Sequence, residues 1–180
     1  MSLRIYGNRS LKTLPGQETR PTLARVREAV FNIWQGSIEQ CRWLDLCTGS
    51  GSMGAEALCR GASIVIGIEQ STPACRIIEQ NWKQVAQPDQ SYQVLRGDVV
   101  KRLNNLSGQQ FDRIYFDPPY DSELYVPVLG AIAELNLLSS NGELAVEHRP
   151  GLTFPDLPLT IVRQKRYGNT ALTFYQTSEL

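Results

Sequence analysis

The run Asp117-Pro118-Pro119-Tyr120 stands directly after a strand-like stretch, Phe111 to Phe116. Two successive prolines stiffen the backbone and remove two N–H donors, so the carbonyls of this loop can face a ligand as fixed acceptors. Acceptors suit an amino group. A planar amine on an aromatic ring or an amide carbonyl has its lone pair delocalised, and it attacks poorly until that delocalisation is reduced. The Asp117 carboxylate and the Pro118 carbonyl, each accepting one N–H, favour a tetrahedral nitrogen and aim its lone pair at an electrophile. Tyr120 supplies a ring on which a flipped base can stack, a contact of ~1–3 kcal/mol in single-stranded nucleic-acid sites. Against the plainer reading, a rigid strand-to-helix turn, Asp117, Pro118 and Tyr120 are the candidate catalytic residues.

A second constellation lies upstream. Asp45-Leu46-Cys47-Thr48-Gly49-Ser50-Gly51-Ser52-Met53-Gly54 follows a strand-like run and opens a helical one, and its glycines satisfy G-x-G-x-x-G. That pattern serves a tight turn and close approach of backbone N–H groups to a ligand at a helix N-terminus. Alone it is weak, and a turn that binds nothing has the same glycines. Its context adds weight, because Glu69 ends the next strand about twenty residues on, where a carboxylate can accept both ribose hydroxyls of an adenosine-containing cofactor. Asp45 separates the two obvious cofactors. A carboxylate just before the loop repels the pyrophosphate of a nicotinamide dinucleotide, but it can pair with the cationic methionyl portion of S-adenosylmethionine. Gly97-Asp98 places a further carboxylate after the third strand, able to accept from an adenine amino group or to cap the following helix. The candidate cofactor set is Asp45, Thr48, Gly49, Ser50, Gly51, Glu69 and Asp98.

These residues need a scaffold that brings loop ends together. Short apolar runs (Arg42 to Leu46, Ser63 to Glu69, Tyr92 to Leu95, Phe111 to Phe116, Glu143 to Glu147) alternate with helical patterns near 52–60, 72–86, 99–106 and 122–136. Alternation of this kind predicts a parallel sheet with right-handed crossovers, and open sheets bind ligands at the carboxyl ends of their strands. An amphipathic helix over Thr22 to Trp34 precedes the sheet, after an irregular opening. Asn141-Gly142 reads as a turn, and Pro150, Pro155 and Pro158 mark a loop. The tail departs from the rhythm: Leu159 to Arg166 and Thr170 to Gln176, joined by Tyr167-Gly168-Asn169, read as a β-hairpin. The expected fold is therefore α/β, a Rossmann-like doubly wound, mostly parallel sheet of about seven strands that ends in an antiparallel hairpin.

The length of 180 residues suits one domain, and 42% hydrophobic with 20% charged residues is globular composition. The longest apolar run, Ile64 to Ile68, is far below the ~20 residues of a membrane span, and the N-terminus lacks a signal-peptide pattern. A cytoplasmic location is expected. Cys41, Cys47, Cys59 and Cys75 contain no C-x-x-C pair and have only His148 for company, so neither a metal site nor disulfides are expected. Zero net charge conceals segregation: residues 1–30 carry +4, residues 31–159 carry −6 and residues 160–180 carry +2. If the basic ends meet in the fold they make a positive face for phosphates; otherwise they are ordinary scatter. Arg25 and Arg27 are expected outside the apolar stripe of the first helix, available to such a partner.

Asp45-x-x-x-Gly49-Ser50-Gly51, Gly54-Ala55-Glu56-Ala57, Arg60-Gly61-Ala62, Glu69 and Asp117-Pro118-Pro119-Tyr120 together resemble class I S-adenosylmethionine-dependent methyltransferases that act on exocyclic amines. The opening, Arg20-Pro21-Thr22 with Arg25-Val26-Arg27-Glu28 and Phe31-Asn32, resembles the RsmD family of bacterial 16S rRNA guanine-N(2) methyltransferases, and the resemblance covers nearly the whole chain. It departs where Cys47-Thr48 stand in place of the family's usual Phe-Ala, and in a less basic N-terminal segment. The resemblance implies S-adenosylmethionine as donor, the 2-amino group of one guanine as acceptor, and 16S rRNA within small-subunit particles as substrate. It also implies that residues 1–38 form an RNA-contacting extension on a methyltransferase domain of residues 39–180, with Arg20, Arg25, Arg27 and Asn32 toward the substrate. Competing readings are an enzyme of the same fold acting on DNA or a protein glutamine, a nicotinamide-dependent oxidoreductase, and a non-catalytic RNA-binding module.

Overall fold

The computed structural model describes residues 2–15, 21–154 and 156–178. The first elements are two short antiparallel strands, β1 (Ser2–Ile5) and β2 (Arg9–Lys12). The expectation of an irregular opening is corrected here. Leu3, Ile5 and Leu11 point inward while Arg4, Ser10 and Lys12 face solvent, which is the two-residue alternation of a half-buried strand. The turn between them puts both Gly7 and Asn8 at positive φ, a conformation natural to these two residue types.

Helix α1 (Pro21–Ile33) then buries Val26, Val30 and Phe31. Its end is fixed by aromatic packing: Phe31 stacks on Trp43 at 5.3 Å, and Trp34 meets Trp43 edge-on at 5.5 Å. Burying one such side chain contributes ~1.5–3 kcal/mol. The Trp34 indole N–H also donates to Glu143 at 2.7 Å, tying this segment to the strand that carries Glu143. Leu3, Ile5, Leu11, Val26, Val30, Phe31 and Trp34 thus share one core with Trp43, Val65, Tyr115 and Phe174 of the later strands.

From there strands and helices alternate: β3 (Arg42–Leu46), α2 (Ser52–Cys59), β4 (Ile64–Glu69), α3 (Thr72–Val85), β5 (Ser91–Arg96), α4 (Val99–Asn104), β6 (Phe111–Phe116), α5 (Tyr125–Glu134), β7 (Leu138–His148), β8 (Leu159–Tyr167) and β9 (Thr170–Thr177). The order across the large sheet is β5-β4-β3-β6-β7-β9-β8, with β9 antiparallel to both of its neighbours and the other pairings parallel. The expected doubly wound sheet and terminal hairpin are both present. Helices α1, α2 and α3 pack on one face with Trp43, Val65 and Tyr115, while α4 and α5 pack on the other with Leu44, Ile66 and Ile114. Alternate strand residues thus serve opposite layers.

Two boundaries move. Asn141-Gly142 was expected to precede the strand; instead β7 begins at Leu138 and the pair lies inside it, in an irregularity where the register jumps from Phe111↔Leu138 to Arg113↔Glu143. Helix α5 starts at Tyr125 rather than 122, because Ser122 N–H closes a turn onto the Pro119 carbonyl. The chain runs outward through β3, β4 and β5 and then returns to β6, beside β3. The direction reverses between these two strands, so a crevice opens at their carboxyl ends.

Candidate functional site

The crevice is a cleft of about 790 Å³ lined by Asp45, Glu69, Asp98, Asp117 and Glu147 among others. Five carboxyl groups from five strand ends or the loops after them face it, with the Arg27 guanidinium also in the lining. Asp45 closes on the helix that follows the glycine loop: its Oδ2 accepts the Gly54 N–H at 3.1 Å. It is 2% exposed, and burial, with Glu69 nearby, holds its carboxyl well above the usual range. Glu69 accepts Gly49 N–H at 3.0 Å and Ser71 N–H at 2.8 Å, one on each oxygen, which fixes its rotamer and leaves a lone pair on each for a ligand hydroxyl.

The loop itself is held from below. Thr48 Oγ1 donates to backbone carbonyls, with Asp45 O at 2.8 Å and Ile68 O at 3.1 Å, so its hydroxyl serves the turn. Asn81, fully buried on α3, donates to the carbonyls of Ser50 and Lys12 and accepts the Lys12 N–H, pinning β2 to the glycine loop. Cys47 adopts φ of 60°, a left-handed conformation unusual for a residue with a Cβ. Its thiol is pushed up to about 12 by burial and then by the surrounding carboxylates.

The glycine spacing has a different purpose from the one expected. Gly49, at φ +61°, has open space around its Cβ position and lines the cleft. Gly51 and Gly54 face Trp82 instead: a Cβ on Gly54 would lie 2.4 Å from the indole Cζ2, and one on Gly51 would lie 2.8 Å from Nε1. Trp82 Nε1 donates to the Gly51 carbonyl at 2.8 Å. Close packing of α2 on Trp82 requires these two glycines, and Gly51 is not among the residues lining the cleft.

In the same lining, Asp117, Pro118 and Tyr120 stand after β6, the strand beside β3. Burial, then Glu147, then Asp45 push the Asp117 carboxyl well above its usual range. The Tyr120 hydroxyl donates to Glu147 Oε1 at 3.1 Å and lies 2.7 Å from Thr170 Oγ1. Ser122 Oγ, also on the cleft wall, is buried with no hydrogen-bond partner among the described residues. Asp98 lines the same cleft while its Oδ1 accepts the Lys101 N–H at 2.9 Å, so the capping interaction is present. Glu147, Asn81 and Ser122 carry no motif signal and were missed by sequence reasoning.

The four substrate-facing candidates do not stay together. Arg25 and Asn32, seven residues apart on α1, are exposed and share a helix face, away from the cleft lining. Arg20 lies outside the described residues. Arg27 is corrected outright: it is 6% exposed, not outside the apolar stripe. Its Nε pairs with Glu56 at 2.7 Å and its Nη2 donates to the Arg4 carbonyl at 2.8 Å, while Arg60 pairs with the other oxygen of Glu56 at 3.0 Å. A buried glutamate on α2 demands a cation, and Arg27 lies one and two turns from Phe31 and Trp34, on the packed face of α1.

A doubly wound sheet with an acidic nucleoside-sized cleft at its switch point, and a proline-stiffened acceptor loop beside it, defines a fold of the class I methyltransferase type. The chain belongs to the family described as Conserved hypothetical protein 95, which matches residues 3–176. It is 32% identical to YlbH of Bacillus subtilis, provisionally named an rRNA methyltransferase, over 93% of each chain. It is 29% identical to Ribosomal RNA small subunit methyltransferase D of Haemophilus influenzae over 96% of this chain and 90% of that one. Among solved structures, yhhF of Escherichia coli, provisionally named a methyltransferase, superposes with TM-score 0.86 at 27% identity over 100% of both chains. These relatives agree with the RsmD resemblance carried by the motifs.

Proposed function

We propose that this chain transfers a methyl group from S-adenosylmethionine to the exocyclic 2-amino group of a guanine in 16S rRNA, with small-subunit particles as its substrate. The relatives named as small-subunit rRNA methyltransferases support the reaction and the RNA class. The observation that carries the reading is one cleft lined both by Asp45 and Glu69 and by Asp117-Pro118-Pro119-Tyr120.

The residues present fit the donor. Asp45 is a buried carboxyl with a raised pKa whose side chain, among the described residues, accepts a single backbone N–H, the arrangement an ammonium group would relieve. Glu69 has lone pairs for a ribose diol, and five carboxyl groups against the one guanidinium of Arg27, which is already paired with Glu56, disfavour a pyrophosphate. The donor supplies an electrophilic methyl on a sulfonium: the new N–C bond forms as the S–C bond breaks, and its electron pair stays on sulfur. Asp117 and the Pro118 carbonyl accept the two amine N–H bonds and hold the nitrogen lone pair toward that methyl. Asp117 then takes the proton the nitrogen loses, and its raised carboxyl is suited to that transfer. Tyr120 stacks on the base. Arg25 and Asn32, with Arg20 preceding α1, approach the RNA backbone, and Arg27 holds the scaffold beneath them.

Nucleoside mass spectrometry of ribosomal RNA from small-subunit particles, incubated with the protein and isotopically labelled donor, tests this directly. Labelled N(2)-methylguanosine is the expected product. Label in methyladenosine, in protein, or in no product would reject the assignment.

A further inference from the structure

Three tyrosines spaced five residues apart, Tyr115 on β6, Tyr120 in the acceptor loop and Tyr125 at the start of α5, converge on one residue. The Tyr115 hydroxyl donates to Glu147 Oε2 at 2.5 Å, Tyr120 donates to Oε1 at 3.1 Å, and Tyr125 donates to the Glu147 backbone carbonyl at 3.1 Å. Glu147 is 2% exposed, lies on the cleft wall and has no cation within ion-pair distance among the described residues. A buried acid on two phenols is a costly way to fill a sheet end, since apolar packing would need no compensation. Its geometry is informative: one carboxylate spans the strand before the acceptor loop and the loop itself.

We propose that Glu147 is a positioning residue for methyl transfer, holding Tyr120 in its stacking orientation and placing a second carboxyl beside Asp117. This inference rests on the methyltransferase reading. The bond from Tyr120 Oη fixes the outer end of the ring, and Thr170 on β9 fixes it from the other side at 2.7 Å. Burial raises the Glu147 carboxyl while the two phenols lower it, and Glu147 in turn raises Asp117, strengthening the base that receives the amine proton. Other groups facing the pair are Asp45 from β3, Cys47 after it, Tyr115, Tyr120 and Tyr125, and Arg149, whose guanidinium sits 5.9 Å from the Tyr120 ring centre. Asp45 acts on Asp117 in the same direction, so Glu147 shifts this base without being its sole control.

The test compares wild type with Glu147→Gln, Glu147→Ala and Tyr120→Phe on the same ribosomal substrate, following kcat, donor Kd by calorimetry and the pH–rate profile. Expected for Glu147→Gln is a kcat reduced roughly ten- to hundred-fold, the scale of a slightly misplaced reacting group, with donor Kd within about two-fold. The acidic limb of its pH profile should move to lower pH. Tyr120→Phe should lower kcat without moving that limb, and Glu147→Ala should be slower than Glu147→Gln. An unchanged kcat and profile in Glu147→Gln overturns the proposal, as does a matching loss of donor binding and thermal stability, which marks a purely structural residue. If the Glu147 variants do not fold, an unchanged kcat in Tyr120→Phe overturns it. A wild-type protein that methylates no RNA defeats the function itself, and this inference falls with it.

Discussion

Replacing Gly54 by alanine isolates what the third glycine of the loop does. In most helices that change gains up to ~1 kcal/mol, because glycine is the poorer helix former. Here the new methyl would lie 2.4 Å and 2.8 Å from two Trp82 ring atoms and 3.0 Å from Val65 Cγ1. Trp82 has little freedom to withdraw: it is fully buried, bonded through Nε1 to the Gly51 carbonyl and packed edge-on against Tyr92 at 6.2 Å. Overpacking a core by one methyl costs ~1–3 kcal/mol, and contact this short belongs at the upper end. The net loss is then about 2 kcal/mol, or a fall in Tm of about 4–8 °C for a domain of this size. The same shift displaces the N–H that Asp45 accepts, so donor affinity should weaken as well. Gly49→Ala is the internal comparison, since nothing lies within 4 Å of its Cβ position and only the left-handed backbone is penalised, by ~1–2 kcal/mol. Differential scanning fluorimetry on both variants, with calorimetric donor titration, reads the difference. A Gly54→Ala protein as stable as wild type would show that the indole can move and that the packing argument is wrong.

Glu69→Ala should weaken donor binding about ten-fold or more, since charge-assisted hydrogen bonds contribute ~1.5–3 kcal/mol; an unchanged calorimetric Kd would remove Glu69 from the site. Asp117→Ala should abolish methyl transfer with donor Kd within a few-fold, and Asp117→Asn, keeping one acceptor oxygen, should retain more activity than the alanine variant; a parallel loss of rate and donor binding would contradict that division of labour. Arg27→Ala should lower Tm strongly, since breaking a buried pair costs ~3–5 kcal/mol before Arg60 compensates Glu56, while Arg25→Glu should leave Tm unchanged and weaken RNA binding in filter assays with a shallower salt dependence. The pH dependence of stability has a definite sign. Asp45 and Asp117 hold their protons to higher pH when folded than when unfolded, so the native state binds more protons above the ordinary carboxylate range and stability falls as pH rises through that window. Asp45→Asn should flatten that fall in Tm without donor; slopes equal to wild type would exclude Asp45 as a source.

The doubly wound sheet was legible because short apolar runs, continuous in β4 and interrupted by two charged residues each in β3 and β6, alternate with helical patterns between glycine and proline breaks. Glu69 and Asp117 were legible for the same reason, since each stands where such a run stops, and Asp45 is the penultimate residue of its strand. The first hairpin was not, because four residues give too little alternation to recognise, although Gly7-Asn8 is a turn signal that could have found it. Arg27 was misread by weighing charge above position: its spacing to Phe31 and Trp34 places it on the packed face of α1, and Glu56 inside the Gly54-to-Leu58 run was the partner to look for. Glu147 could not be read at all. A glutamate near the end of a strand looks like any rim residue until three tyrosines from separate elements close around it.

Strand β9 lies between β7 and β8 although it is the later of the hairpin's two strands. Until residues 170–177 emerge during synthesis, the edge of β7 has no partner, and its backbone donors and acceptors are open to another nascent chain. Strand β8 cannot cover that edge first, because its place in the sheet is defined only through β9. Thr170, the first residue of β9, also bears on the Tyr120 hydroxyl, so the reacting end of the cleft takes its shape at the same moment the exposed edge is sealed. Catalytic competence and resistance to aggregation should therefore appear together during biosynthesis, as one late cooperative event.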